Sequence, residues 1–322
     1  MKKIVLSVLA VLSLSSCYED YIKDYDFNAV YFAKQINTRT VVVGEGQKIQ
    51  VGAVLAGVME NKSNREVHFE IDNSLVTPNV LASMKKGDTY IKQAVSDVSE
   101  LKALPSDYYT LSDDGTIVIP KGDHLGTIDV TVTDKFIQDA DALKATYVLP
   151  LRIISADADS INSQKSTTVI GLHYENTLFG NYYHGGVDQV KNAQGEVIET
   201  ITYRTEIPQA DKLIWKLSSV APNALVTNQI TNGTIAGKMK LTLNQDGSII
   251  VGAVEGSGVE VKSDGESFFN QAKLLQDRQI FLKYQFVDKE GNSHHATDTL
   301  SFRNRIRDGV NEWKDENPEH YK

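Results

Sequence analysis

Sugars present C–H faces that stack on aromatic rings, while their hydroxyls are caught by amides, carboxylates and guanidinium groups in a shallow, preformed groove. Six residues of the C-terminal half have side chains suited to that chemistry: Tyr182, Tyr183 and His184 in one run, then Tyr203, Trp215 and Trp313. Packing competes for them. Tyr182 and Tyr183 are neighbours, so on a strand one of the two faces a core. Trp215 shares a face with Leu213 and Leu217, which favours burial over display. Trp313 follows Ile306 and Val310 at spacings of four and three, the pattern of a short C-terminal helix anchored by tryptophan.

Acid–base and metal chemistry find less support. A glycosidase needs two carboxylates roughly 5–10 Å apart. The 42 acids could supply such a pair, but solvated turns and strand faces are the ordinary use of Asp and Glu. Of the seven histidines only His294 and His295 cluster, and adjacent strand residues point to opposite faces, so they do not readily share a metal ion. No H-E-x-x-H, G-x-S-x-G or G-x-x-x-x-G-K-[ST] string occurs. We expect no catalytic residue, no metal and no cofactor.

The elements that must carry these residues are strands. In Gly126–Thr133, Ile128, Val130 and Val132 alternate with Thr and Asp, burying one face of a pleated strand and wetting the other. Similar runs lie at 29–33, 48–56, 65–71, 108–111, 116–119, 146–154 and 167–174, with Asp113-Asp114-Gly115 as a hairpin turn. Short strands at this density predict a sandwich. Ala94–Leu104, ended by Pro105, and Phe136–Leu143 read as helix-tolerant insertions. A polar, Gly-containing stretch at 176–180 is the boundary candidate. Beyond it, runs at 182–191, 196–206, 212–218, 237–243, 248–253, 258–262, 279–287 and 293–302 are joined by Gly-containing turns. The expectation is all-β: an Ig-like sandwich over 27–175, then over 176–322 either an eight-stranded lipocalin-like barrel or a second sandwich.

Composition sets the outer bounds. At 322 residues the chain has room for two domains, and 41% hydrophobic with 23% charged residues is a globular balance. The net charge is −9, and no basic run exceeds Lys85-Lys86, which argues against nucleic acid and against an anionic lipid surface. Loss of residues 1–16 would remove Lys2 and Lys3 and no acid, taking the net charge to −11.

The single cysteine, Cys17, has no disulfide partner within the chain. It follows a basic start (Lys2, Lys3) and an apolar stretch from Ile4 to Leu14, the layout of a signal peptide over 1–16. Leu14-Ser15-Ser16-Cys17 resembles the lipobox of bacterial lipoproteins, in which the cysteine thiol is acylated. Tyr18-Glu19-Asp20 resembles the surface-export signal of Bacteroidetes lipoproteins. The resemblance implies Cys17 as a lipidation site, a tether over 17–26, and an outer-membrane, surface-exposed location held through the lipid anchor alone.

Further motifs carry a family resemblance. Leu104-Pro105-Ser106-Asp107-Tyr108-Tyr109-Thr110-Leu111, Ile117-Val118-Ile119-Pro120-Lys121-Gly122 and Tyr147-Val148-Leu149-Pro150-Leu151-Arg152-Ile153 resemble the N-terminal module of unknown function on Bacteroidetes surface lipoproteins, which also precedes family-18 glycosidases. The stretch from Phe179-Gly180-Asn181-Tyr182-Tyr183-His184-Gly185 onward is similar to the C-terminal module that often follows it. The resemblance implies an accessory protein of a polysaccharide utilisation locus that binds extracellular glycan beside an outer-membrane importer and surface hydrolases. Adhesion through protein–protein contact is the alternative, and glycoside hydrolysis the third. Neither Asp139-Ala140-Asp141 nor Asp157-Ala158-Asp159 is followed two residues later by the glutamate of family 18. The chain after residue 175 is also too short for that family's (β/α)8 barrel of about 250 residues.

Overall fold

The computed structural model describes residues 27–204 and 214–315. Cys17, the signal peptide and the tether lie outside the described residues. Eleven strands build the N-terminal domain: β1 (Ala29–Phe32), β2 (Ile36–Val42), β3 (Lys48–Ala56), β4 (Arg65–Ile71), β5 (Lys102–Ala103), β6 (Tyr109–Leu111), β7 (Thr116–Ile119), β8 (Leu125–Val132), β9 (Tyr147–Ala156), β10 (Ser160–Ile161) and β11 (Thr167–Glu175). They form two sheets, β10-β1-β3-β8-β6 and β2-β11-β9-β4-β7, with β5 beside β9. Period-two alternation turns Ile128, Val130 and Val132 of β8 inward, where they meet Val67, Ile117 and Leu149 of the other sheet in one core. Burying each such side chain stabilises the sandwich by about 1.5–3 kcal/mol.

The second sheet is covered on both faces. Helices α1 (Pro78–Met84) and α2 (Thr89–Ala94) lay Leu81, Met84, Ile91 and Ala94 against Val148 and Val169 on its outer side. Residues 147–151 of β9 are therefore buried without a break, where a one-sided strand would alternate. The helices fall before the predicted insertion: Ala94–Leu104 itself runs from the end of α2 through loop to β5, because Pro78 at the first helical position and apolar residues three apart start the helix earlier. A third short helix, α3 (Asp134–Gln138), followed by a 3-10 turn at Ala140–Leu143, occupies the second insertion.

Strands β12 (Gly180–Lys191), β13 (Val197–Arg204), β14 (Ile214–Ala221), β15 (Ala224–Thr227), β16 (Met239–Leu243), β17 (Ile249–Ala253), β18 (Lys262–Ser263), β19 (Phe268–Phe269), β20 (Gln279–Val287), β21 (Ser293–Arg307) and β22 (Val310–Glu312) form one antiparallel sheet, β17-β16-β15-β14-β12-β21-β20-β18, with β13, β19 and β22 on its margins. The sheet curls until its ends meet. Ile249 N–H donates to Ser267 O at 2.8 Å and Phe269 N–H to Gly247 O at 2.8 Å. Where the main chains part, Ser263 Oγ bridges both the N–H and the C=O of Val251 at 3.2 Å. Closure removes the exposed edges of an open sheet. Its inside is a filled core that includes Trp215, Leu241, Leu282, Tyr284 and Leu300.

A buried ion cluster locks the two domains. Gly44 and Gly46, at φ 83° and 82°, make the reversal after β2 that pushes Glu45 into the second domain. Arg305 holds the Glu45 carboxylate with both terminal nitrogens, at 2.9 and 2.7 Å, and Arg278 adds a third contact at 2.9 Å. Burial alone would raise the Glu45 pKa, but the hydrogen bonds and charge of Arg305, then of Arg278, outweigh it and hold the carboxyl below its ordinary value.

Candidate functional site

Four of the six expected sugar-stacking residues are structural. Inward alternation along β12 puts Tyr182 and His184 in the barrel, and Trp215 of β14 and Tyr203 of β13 join them; all four are buried. The His184 ring stacks on Trp215 at 4.3 Å and lies 5.0 Å from Tyr203. Their candidacy as sugar-stacking residues is therefore corrected: His184 lies against Trp215 and Tyr203, and Tyr182 packs edge-on against Phe302. The Tyr182 hydroxyl donates to Leu178 O at 3.0 Å, while the Tyr203 and Tyr284 hydroxyls donate to Asp298 of β21 at 2.6 Å each, with His184 Nε2 3.1 Å from the same carboxylate. Burial and the neighbouring carboxylate raise both tyrosine pKa values, keeping the phenols protonated as donors. Gly186 makes room for the group, since a Cβ there would sit 2.1 Å from Asp298 Oδ1.

His294 and His295 point to opposite sides of β21. The first is buried between Asp188 (2.7 Å) and Asp288 (3.2 Å), the second meets Asp264 at 2.7 Å. Among the described residues no group of three His, Cys, Asp or Glu side chains is arranged to hold a metal ion. The acid pairs of the first domain have local work. Asp139 accepts from Tyr108 and Tyr147, Asp157 from the Glu66 N–H, and Asp159 from Asn28.

A cleft of about 510 Å³ lies where the domains meet. Thr40, Tyr90, Gln93, Lys144, His173 and Glu175 line it from the first domain, and Asn181, Lys216, Ser218, Ser219, Ile306 and Asp308 from the second. Thr40 N–H and Oγ–H both donate to Asp308 Oδ1, at 2.9 and 2.8 Å. With its hydrogen so committed, Thr40 Oγ accepts from His173 Nε2 at 3.1 Å, which puts the proton of the neutral imidazole on Nε2. Burial, then the Lys144 charge, pushes the His173 pKa down to about 4. An activated hydroxyl gives its proton to the imidazole; here the Thr40 hydroxyl donates to Asp308.

Two acids in this cleft are displaced upward. Burial raises Glu175 against the opposing hydrogen bond from Ser219 Oγ and the pull of Lys144 and Lys216. Burial likewise raises Asp308 against the hydrogen bonds of Thr40 and the charge of Arg39. Displaced acids and an imidazole thus meet in one partly enclosed cleft, an arrangement that binding sites share with buried structural networks.

One rim of the cleft is the hairpin β21–β22. Asp308 and Gly309, at φ 53° and 82°, reverse the chain, so Ile306 pairs with Asn311 and Arg305 with Glu312. The expected C-terminal helix through Trp313 is thus a hairpin, because Asp308-Gly309 forms the two-residue turn whose positive φ angles match the twist of paired strands. On one face the carboxamides of Asn181, Asn304 and Asn311 form a ladder, with Nδ2 to Oδ1 steps of 3.2 and 2.6 Å. Trp313 follows the last residue of β22 directly. Trp313 is 57% exposed, with Lys314 Nζ 4.8 Å from its ring centroid. Tyr183, the remaining candidate, is half-buried under Arg303. Neither the amide ladder nor Tyr90 is apparent from sequence; the Asp308-Gly309 dipeptide is the signal that would have found the hairpin.

Residues 25–160 match a family model described as a “-like, N-terminal domain”. No curated protein matches the chain. Among solved structures, a Bacteroides ovatus protein of unknown function is 22% identical, with 90% of this chain and 99% of that one covered and a TM-score of 0.65, so the two share a fold. A second B. ovatus protein of unknown function is 14% identical over 89% of this chain and 100% of its own, with a TM-score of 0.45. A multidomain B. ovatus protein including DUF1735 is 15% identical over 88% and 99%, with a TM-score of 0.44. The chain is thus similar to that N-terminal domain over residues 25–160 and shares its fold with the first structure.

Proposed function

We propose that this protein is a lipid-anchored outer-membrane surface protein that binds extracellular glycan in its interdomain cleft, as an accessory to polysaccharide uptake. The observation that carries the reading is the ladder of three asparagine amides that runs from Asn181 in the cleft lining onto the β21–β22 hairpin, with the exposed indole of Trp313 next in the chain after β22. A pyranose would stack on the indole and exchange hydrogen bonds with amide groups that have donor and acceptor capacity left over. The anchor would be acyl chains on Cys17, at about 0.8 kcal/mol per buried methylene. An importer and surface hydrolases are the neighbours this reading implies.

Calorimetric titration of the mature protein with a polysaccharide panel tests it. We expect one class of glycan to bind, Trp313→Ala to weaken it about tenfold, the loss of one good aromatic contact, and Asn304→Ala, which removes both rungs of the ladder, to weaken it further. Binding to no member of the panel by intact, folded protein removes the proposal. A second reading, adhesion to another protein, draws on the β12–β13 ribbon, whose Val187, Val197 and Ile198 are exposed. Pull-down from outer membranes with and without competing glycan separates the two.

A further inference from the structure

The barrel seam opens on the outside into a groove of about 620 Å³, built from strands that take no part in the Trp313 hairpin. Phe268 of β19 is 45% exposed and stacks on its register partner Phe281 of β20, with ring centroids 4.8 Å apart at 27°. Across the groove Ile250 of β17 is 58% exposed. A cross-strand aromatic pair could have been buried by one residue's shift of register; here the register turns Phe269 to the core and leaves Phe268 in water.

Polar groups close the end of this apolar slot. Gln271 lies in the left-handed region at φ 54°, a conformation that costs a non-glycine residue about 1–3 kcal/mol and concentrates at functional sites. Its Nε2 donates to Asp246 O at 2.6 Å and rests over Gly247, where a Cβ would come within 2.7 Å of that nitrogen. The carboxamide keeps one N–H and its carbonyl oxygen for another partner. Asp246 and Glu266 add carboxylates to the lining, and neither Lys nor Arg contributes to it.

We propose that this seam groove is a second, separate binding site for an uncharged hexopyranose glycan. The phenyl face of Phe268 and the Ile250 side chain fit the C–H face of a pyranose, and the carboxylates with Gln271 accept and donate to its hydroxyls. A uronate or sulfated sugar is disfavoured, because two carboxylates line the groove and the Lys283 side chain, packed on Gly265, is not in the lining. Two sites on one rigid chain would let it hold a single polysaccharide at two points, multiplying retention without new contacts.

The test is titration of the mature full chain with maltohexaose, cellohexaose, mannohexaose and, as the charged control, hexagalacturonate. Trp313→Ala is the background that removes the cleft's stacking residue. In that background we expect one of the neutral hexasaccharides to bind, Phe268→Ala to weaken it about tenfold, Phe268→Trp to retain it, and hexagalacturonate not to bind. Because Phe268→Ala also loses the stack on Phe281, a thermal melt confirms that each variant is folded at the titration temperature. If no neutral hexasaccharide binds the Trp313→Ala protein, or if Phe268→Ala binds as well as its parent, the seam site falls and the cleft reading stands on wild-type binding. Binding lost with Phe268→Ala and untouched by Trp313→Ala removes the cleft reading and keeps the seam.

Discussion

His173 shows how a single side chain can make the domain interface sensitive to acid. In the unfolded chain its imidazole titrates near 6.5, and in the folded protein at about 4. A lowered folded value means that the folded state refuses a proton which the unfolded state takes, so this contribution is complete above pH 6.5 and is lost as pH falls toward 4. Each tenfold difference in proton affinity between the two states is worth about 1.4 kcal/mol, so the loss by pH 5 is about 2 kcal/mol. Glu175 and Asp308, displaced upward, work in the opposite sense: each favours the folded state at low pH and disfavours it as pH rises through the folded value. Urea unfolding of wild type and His173→Gln at pH 7 and pH 5 isolates the imidazole. We expect wild type to lose about 2 kcal/mol more than the variant over that interval, and equal losses would show that the ring stays solvated.

At the scale of elements, strands with clean alternation were legible and strands with polar interiors were not. β8 could be read because Ile128, Val130 and Val132 alternate with Thr and Asp. β2 could not, since Thr38 and Thr40, both buried, stand where apolar residues would mark the inward face. The same ambiguity hid the orientation of β12: its inward positions include His184, Gly186 and Asp188, a polar series that reads as outward until Asp298 is seen waiting for it. Trp313 is displayed on a hairpin and not on a helix, because two-residue turn chemistry at Asp308-Gly309 overrides a three–four spacing that only three residues support. The hairpin therefore gives an element-scale prediction. Gly309 has φ 82°, and a Cβ there would lie 3.0 Å from Tyr90 Cδ1. Gly309→Ala should cost about 1–2 kcal/mol and should weaken glycan binding along with Trp313→Ala, since it loosens the rim that carries the tryptophan. Thermal melts and the same titrations check both parts.

For the whole molecule, the two all-β bodies were legible as runs of short strands, whereas their docking was not, because Arg278 lies 233 residues beyond Glu45, and Arg305 further still, so no local pattern joins them. Their burial makes the cluster asymmetric in its energetics. Deleting the carboxylate leaves Arg278 hydrogen-bonded to main-chain carbonyls alone and Arg305 to Glu312 alone, both away from water, a loss of about 3 kcal/mol. We expect Glu45→Ala to split a single calorimetric transition into two, one for each domain, and to enlarge hydrogen exchange at β2 and β21. A single transition at an unchanged midpoint would mean that the domains are held by their apolar contacts alone.

The packed lumen of the barrel sets a limit on how anything carried by this protein can leave it. Trp215, Tyr182 and Tyr284 occupy the space that a carrier of small hydrophobic cargo would keep vacant. A glycan held as proposed lies outside the barrel, in the cleft or at the seam, so its release would not require the barrel to open. A neighbouring enzyme or pore could peel a polymer away from one end while the other end is still attached.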